Sequence, residues 1–273
     1  TRDWSSDVCS SDLDWARLIL REDSRNGGPD HLGEPWATPL AEARLSTFLA
    51  ADKDNNTEGG PEAFLSGAIV DAQSRYNLRN LVGDDGKASK VEVAAFARLC
   101  DAAGLPGDTA TRVAEGLRAA LAASSEDGTP DAPLLPQRVS QLTWLGLDDA
   151  TVAKLVPYVS ILPVRTPVNA NTASREVLLA AIDNLDLGSA ERLVQLRTRS
   201  PFRSLQELQA ALPQGMQADE QRVGVSSGFF DVYGRLRLEE RVLEEHSLVQ
   251  RRGGGGEVVT LQRDRQSLVT TPP

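Results

Sequence analysis

The hydrophobic period of this chain changes twice, and that change limits its fold more than any other feature. Residues 64–82 and the stretch after about residue 222 show the alternation and β-branched residues of strands. From about residue 87 to residue 222, apolar residues recur at spacings of three and four, as they do on helices. We therefore predict an α+β fold in which a helical domain is inserted into a sheet domain.

The boundaries of these parts follow from turn signals. The turn cluster GDDGK at 83–87 separates a first sheet segment, 14–83, from the inserted helical domain, 84–222. Residues 223–265 supply the closing strands, with the glycines at 253–256 as a hairpin connection, and 266–273 form a flexible tail. Residues 1–13 are expected to be an artefact, because residues 3–13 resemble the translation of a sequencing adapter.

Local signals place several helices. Residues 14–23 predict an N-terminal helix with Trp15, Leu18 and Ile19 on one face, and Trp36 is expected to anchor a core. Four helix N-termini are predicted from capping residues, and Pro201 is expected to end a helix. The predicted caps are Asp108, Asp148, Thr172 and the Ser204–Glu207 capping box. The predicted apolar faces include Val91, Ala95 and Leu99 in one helix, and Val152, Leu155, Val156 and Val159 in another.

Composition argues against two classes of function. The formal net charge is -10 and the pI about 4.8, so the chain as a whole repels a phosphate backbone. His31 and His246 have no Cys or His at metal-ligand spacing, and we predict that the chain is not an enzyme. A triad assembled across the fold stays open as an alternative.

Cys100 lies in an apolar helical run, and no disulfide with Cys9 is expected.

An acidic loop offers one candidate metal site. Asp52, Asp54, Asn56 and Glu58 place oxygen ligands at alternate positions, which suits calcium. Thr57 and Ala63 stand where an EF-hand needs Gly and Glu, so the loop is either a different calcium site or a solvated loop. Asp84 and Asp85 are a weaker candidate, with the same two interpretations of a calcium site or a solvated loop.

The stretch VNANTASREVLLAAI, residues 168–182, has the character of a helix-hairpin-helix or SAM-like module. A DNA-binding hairpin holds phosphate with backbone N–H groups of a Gly-x-Gly turn. The turn here has only Gly188, with Asp183 and Asp186 nearby, and residues 166–212 balance five arginines against five carboxylates. We predict that the scaffold serves protein contact or structure, with a DNA-binding competence-type receptor as the alternative.

Five segments, taken in order, resemble the minor pseudopilins of type II secretion systems, in the general secretion pathway protein K family. They are DHLGEPWATPL (30–40), AIVDAQSRYNLRNLV (68–82), VNANTASREVLLAAI (168–182), RTRSPFRSLQEL (197–208) and SSGFFDVYGRLRL (226–238). The resemblance covers roughly residues 14–265. It implies a pseudopilin fold, in which a long N-terminal helix packs on an antiparallel sheet.

The resemblance also implies a location and partners. Members of this family sit at the tip of a periplasmic pseudopilus and support its assembly and protein secretion. The implied partners are the I- and J-type minor pseudopilins, the major pseudopilin, and secreted cargo or the outer-membrane channel, with no nucleic acid. The family has a leader and an apolar membrane helix before the position of Asp14, so the present chain is expected to be a periplasmic domain of an inner-membrane protein. Family tips bind calcium, which favours the site at Asp52, Asp54, Asn56 and Glu58.

Overall fold

The computed structural model describes residues 4–44, 63–123, 132–239, 241–252 and 256–269. Two compact units divide the chain: Thr1–Gly28, Leu32–Asp71 and Gly228–Pro273 form unit 1, and Pro29–His31 with Ala72–Ser227 form unit 2. The division falls at Asp71 and Gly228, whereas the sequence placed it at 83 and 223. The first difference arises because the strand-like pattern of 64–82 breaks at Asp71, where the backbone turns through a 3₁₀ helix, Ala72–Ser74.

Unit 1 contains a five-stranded antiparallel sheet. Its strands are β1 (Leu40–Arg44), β2 (Ala63–Asp71), β7 (Phe229–Leu238), β8 (Arg241–Arg252) and β9 (Glu257–Val269). They lie in the order β1-β2-β7-β8-β9. The pairing between β2 and β7 is unbroken from Ala63↔Leu238 to Asp71↔Phe230, so segments far apart in sequence meet at the centre of the sheet. This confirms the predicted antiparallel sheet with strands from both ends of the chain.

A long helix, α1 (Trp4–Asn26), packs on one face of this sheet. Leu13, Ala16 and Leu20 are buried against Phe230 and neighbouring apolar residues of the sheet. Trp36 is 1% exposed, and its ring meets Phe230 edge-on at a centroid distance of 5.3 Å, which confirms it as a core anchor.

Two expectations for this helix differ from the structure. The helix begins ten residues before Asp14, and Leu13, in the segment set aside from the fold, is buried. The prediction that Leu18 shares the buried face is wrong, since it is 63% exposed, while Trp15 and Ile19 are partly buried. The face that is buried follows Leu13, Ala16 and Leu20, at spacings of three and four.

Unit 2 is mostly helical. Its helices are α2 (Lys90–Ala102), α3 (Thr109–Ala123), α4 (Asp149–Leu155), α5 (Arg175–Ala181), α6 (Leu187–Arg199) and α7 (Leu205–Ala211). An all-α description is wrong, because two parallel pairs of two-residue strands are present. These are β3 (Tyr76–Asn77) with β4 (Val159–Ser160), and β5 (Val168–Asn169) with β6 (Val223–Gly224). Residues 78–81, predicted as strand, form a 3₁₀ helix that Asn77 caps.

The core of unit 2 joins these elements. Tyr76 stacks on Phe96 of α2 at a centroid distance of 5.6 Å, and Leu142, Leu155 and Leu178 are fully buried. Two predicted core positions are wrong, since Val91 and Val156 are 56% and 47% exposed. Each lies at a helix end, where the helical period no longer fixes which side of the chain is covered.

Most predicted helix ends are confirmed. Asp148 caps α4 by accepting from Thr151 N at 2.8 Å, and α6 ends at Arg199, just before Pro201. Ser204 caps α7, although Glu207 accepts from the N–H of Arg203 rather than that of Ser204. Asp108 precedes α3 and forms an ion pair with Arg112.

Candidate interaction site

The predicted hairpin is formed by α5 and α6, which pack against each other in unit 2. The residue that caps α5 is Ser174, whose Oγ accepts from Val177 N at 3.3 Å. The prediction of Thr172 as this cap is wrong. Thr172 lies two residues earlier, where its N–H donates to the carbonyl of Asn169, because the chain makes a tight turn before the helix starts.

Two asparagines fix the chain that leads into the hairpin. Asn171 is 2% exposed; its Nδ2 donates to the carbonyl of Phe202 at 2.9 Å, and its Oδ1 accepts from Phe202 N at 2.8 Å. Asn169 is fully buried and donates to the carbonyl of Asp30 and to Ser227 Oγ. The N-A-N segment therefore ties the entry of the hairpin to three other stretches of unit 2. Sequence reasoning missed this role, and two amides two residues apart in an apolar context were its only signal.

The N-terminus of α6 is already occupied by a carboxylate of the chain itself. Asp186 Oδ1 accepts from Ser189 N at 2.9 Å, and Oδ2 accepts from Ser189 Oγ at 2.7 Å. These hydrogen bonds lower the pKa of Asp186 below its ordinary value. A Cβ at Gly188 would lie 3.1 Å from Asp186 Oδ1, so the one glycine of the turn makes room for this cap. A phosphate would meet a negative charge where a DNA-binding hairpin offers free N–H groups.

The second acidic residue of the turn, Asp183, is exposed and belongs to an ionic network centred on the buried Arg222. It pairs with Arg98 of α2 at 2.7 Å and with Arg222 at 2.8 Å. Burial raises the pKa of Asp183, but the hydrogen bond and charge of Arg222, together with Arg98, outweigh it and lower the pKa overall. Asp183 therefore fastens the turn to the rest of unit 2.

Arg222 is the centre of this network. It is 6% exposed, its Nη2 donates to the carbonyl of Ala180 at 2.9 Å, and its Nε lies 3.2 Å from Glu92 Oε1 without hydrogen-bond alignment. Glu92 also accepts from the hydroxyl of Tyr76 at 2.7 Å. Burial, followed by the charge of Glu92, raises the pKa of Tyr76 well above its ordinary value.

The arginines of the hairpin region are largely engaged within the protein. Arg175 pairs with Glu176 and Glu191, and Arg192 donates to Ser189 Oγ. Arg197 is 8% exposed, donates to the carbonyl of Ala170 at 2.6 Å, and has its pKa lowered by burial to about 10. Non-specific DNA binding needs several uncompensated cations, and the contacts of Arg175 and Arg197 within the protein make these two side chains unavailable to phosphate.

The two histidines lie in different units. His246 Nε2 is 2.7 Å from Asp231 Oδ1, and its ring stacks on Tyr233 at a centroid distance of 4.7 Å. His31 is partly buried in unit 2. The pair at His246 lies on the face of the sheet opposite α1. The two partners of His246, Asp231 and Tyr233, supply no nucleophile, so these contacts give no support to a Ser–His–Asp triad.

The candidate calcium ligands Asp52, Asp54, Asn56 and Glu58 lie outside the described residues, so that site stays a prediction. At the weaker acidic pair, both carboxylates have partners: Asp84 lies 3.6 Å from Arg165, and Asp85 accepts from the N–H of Lys87.

Cys100 is a free, buried thiol, and burial raises its pKa to about 12. Among the helices that the structure describes, none is long and apolar enough to cross a membrane.

Comparison with known proteins identifies the family. Residues 74–164 and 168–226 match two sequence models, both described as type II secretion system (T2SS), protein K. A type II secretion system protein K from Pseudomonas aeruginosa is 32% identical over 272 residues, which covers 91% of this chain and 77% of the relative. The chain belongs to the type II secretion system protein K family. A protein of the same description from Dickeya chrysanthemi is 29% identical, covering 69% of this chain and 58% of that relative.

The fold agrees with this assignment. The structure matches a chain of the crystal structure of the GspK-GspI-GspJ complex from the type 2 secretion system of enterotoxigenic Escherichia coli, with a TM-score of 0.69. The match covers 95% of this chain and 94% of the other, at 19% sequence identity. The predicted family and its minor pseudopilin class in type II secretion are confirmed, and the alternative of a DNA receptor gains no support.

Proposed function

We propose that this protein K acts at the tip of the type II secretion pseudopilus, where it supports pseudopilus assembly and protein secretion across the outer membrane. The observation that carries the proposal is the relatedness to protein K along 91% of the chain. The mode of action is helix packing and surface complementarity rather than covalent chemistry. The described domain would act in the periplasm, joined to the inner membrane by an N-terminal helix.

The partners we propose are the I- and J-type minor pseudopilins, with the major pseudopilin, secreted cargo and the outer-membrane channel as further contacts. The similar solved chain comes from a complex of K, I and J proteins, which supports this choice. The helical part, with α5 and α6 as a helix-hairpin-helix-derived module, would contribute contact surface only. The carboxylate cap at Asp186 and the engaged arginines favour protein over nucleic acid there.

A secretion assay tests the proposal. In the source bacterium, deletion of the gene for this protein is expected to leave type II cargo in the periplasm, and the full-length gene is expected to restore its export. A variant in which Asp186 is replaced by Asn should restore export as well, because the cap is kept without its charge. Normal export in the deletion strain would contradict the proposed function.

The alternative function has its own test. A salt-sensitive shift of duplex DNA by the purified chain would favour a DNA receptor. We expect no shift at low salt, and the same result for Asp186→Asn, because the chain carries a formal net charge of -10 and Arg175 and Arg197 are engaged within the protein.

We also propose calcium binding by Asp52, Asp54, Asn56 and Glu58, whose oxygen atoms are hard ligands at alternate positions. Titration calorimetry should show heat of calcium binding for the unaltered chain and a loss of that heat for Asp54→Ala. The matched control is Asp101→Ala, which removes an exposed acidic residue near the end of α2. Equal heats for the unaltered chain and Asp54→Ala would overturn the site.

A further inference from the structure

The last strand of unit 1, β9, leaves a long edge of the sheet. It has 13 residues and pairs with β8 on one side, and no other strand of the described residues pairs with its outer side. An edge strand is a template for strand addition by another chain. An edge of this length therefore invites pairing with a second copy of the chain unless something prevents it.

Two arginines of β9 point inward, toward the face of the sheet that carries α1. Arg263 Nε donates to Glu245 Oε1 at 2.6 Å, and Arg265 Nε donates to Glu245 Oε2 at 2.7 Å. Glu245, on β8, is 6% exposed, while the two arginine side chains are about a third exposed (32% and 35%). One buried carboxylate thus holds two partly exposed cations along the inner side of the edge.

A bulge lies next to these arginines. The register shifts between the pairs Leu248↔Gln262 and Val249↔Thr260, which leaves Leu261 as an extra residue on β9. A bulge bends and twists its strand locally and interrupts the regular series of outward groups. Inward-pointing charges and bulges are two devices by which natural sheets prevent edge-to-edge pairing, and β9 has both within five residues.

Self-pairing is also disfavoured by the order of charges along β9. Antiparallel pairing of two copies about a two-fold axis sets residues of the same face opposite each other. The register of greatest overlap, centred on 263, places the two Arg263 side chains opposite each other. The register centred on 264 opposes the two Asp264 side chains and sets Arg263 against Arg265. Like charges directly opposite on neighbouring strands are destabilising.

We propose that Arg263, Arg265 and Glu245, together with the bulge at Leu261, keep the β9 edge from pairing with a second copy of this chain. The inference is independent of the proposed role in secretion. On this proposal, the role of the three charged residues is to prevent pairing between two copies of the chain, not to stabilise the fold.

The test replaces the charged cluster and measures self-association. The triple variant Glu245→Val, Arg263→Thr, Arg265→Thr replaces the three charged side chains at the edge with β-branched ones. A matched control, Glu244→Val, Arg235→Thr, Arg237→Thr, removes the same number of charges of each sign from the interior strands β7 and β8. The chain, the variant and the control are compared by sedimentation velocity over a concentration series, with hydrogen exchange to locate any new contact.

We expect the sedimentation coefficient of the triple variant to rise with concentration, and its β9 amides to gain protection, while the chain and the control do not change. An unchanged coefficient for the triple variant would overturn the proposal, as would association without protection of β9. The single variant Arg265→Thr, which leaves Glu245 paired with Arg263, tests the idea without a buried unpaired charge. It should show weaker association of the same kind, and none would contradict the proposal.

Discussion

In unit 2, single side chains form hydrogen bonds with the backbone of distant segments that no helix or strand pairing provides. Asn171 exchanges two hydrogen bonds with the backbone of Phe202, in an environment where only 2% of Asn171 is exposed. In this position an asparagine acts as a strand would, by satisfying a donor and an acceptor of a distant stretch. The hairpin therefore depends on a residue that makes no contribution to its helices.

Asn171→Ala tests this connection. The substitution leaves the N–H and the C=O of Phe202 buried without a partner. We expect the free energy of unfolding to fall by about 2–6 kcal/mol, because each of the two unsatisfied groups costs about 1–3 kcal/mol. Urea unfolding followed by circular dichroism measures the change. Gln195→Ala, on the exposed side of α6, serves as control and should change little. A loss as small as that of the control would contradict the role of Asn171.

Gly256, before β9, is a second residue with a local constraint. Its φ is +68°, and a Cβ there would lie 3.0 Å from Arg21 Cγ and 3.1 Å from the carbonyl oxygen of Arg21. Gly256→Ala should therefore lower the melting temperature of the protein, with a cost of about 1–3 kcal/mol from the strained backbone alone. Gly104→Ala is the control, since Gly104 also has a positive φ (+65°) but nothing within 4 Å of its Cβ position. Equal losses for both variants would show that the contact with Arg21 is unimportant.

At the scale of elements, the N-terminus of α6 is capped by the carboxylate of Asp186. This explains why the hairpin is not suited to bind phosphate. Asp186 accepts from the N–H and the hydroxyl of Ser189, which hold its pKa low. A group whose pKa is lowered in the folded state stabilises that state above the pKa of the unfolded chain, and the contribution is lost as pH falls through the folded value.

Asp186→Ala should consequently lower the melting temperature at neutral pH, and the difference from the unaltered chain should shrink below about pH 4, the ordinary range of an Asp carboxyl. Asp186→Asn is the control, because Asn also caps helices well but has no titrating charge. Thermal unfolding across pH measures both. A difference that stays constant down to the lowest pH would contradict the ionised cap.

The ionic network joins α2, the hairpin turn and the segment before β6. Arg222→Met leaves the buried carboxylate of Glu92 without its cationic partner, with the hydroxyl of Tyr76 still donating to it. We expect a loss of about 3–5 kcal/mol in the free energy of unfolding. The double variant Glu92→Leu, Arg222→Met removes both charges and should lose less than the sum of the two single variants. Additive losses in urea unfolding would show that the two charges do not interact.

The elements could be predicted where a periodic pattern was long and ended in a cap. The strands around Ile69 and Tyr233 and the helix starts at Asp148 and Ser204 are confirmed for this reason. The prediction of a strand at residues 78–81 was wrong, because a short apolar run bounded by turns fits a buried helix as well as a strand. The ties made by Asn169, Asn171 and Arg222 could not be predicted, since their partners lie 30 to 140 residues away and only the fold brings them together.

At the scale of the whole molecule, the succession of periods predicted a sheet made from both ends of the chain, and the resemblance predicted the family. Both are confirmed, although the helical unit starts at Ala72 and includes short parallel strands. The position of the candidate calcium site at Asp52, Asp54, Asn56 and Glu58 stays a prediction.

One measurement tests the central claim, that this chain is a tip subunit that assembles with other minor pseudopilins. The purified chain is mixed with the periplasmic domains of the I- and J-type proteins of the same bacterium, and the mixture is separated by size exclusion with light scattering. The account predicts a stable particle that contains one copy of each protein. Elution of the three proteins as separate species at micromolar concentrations would contradict it.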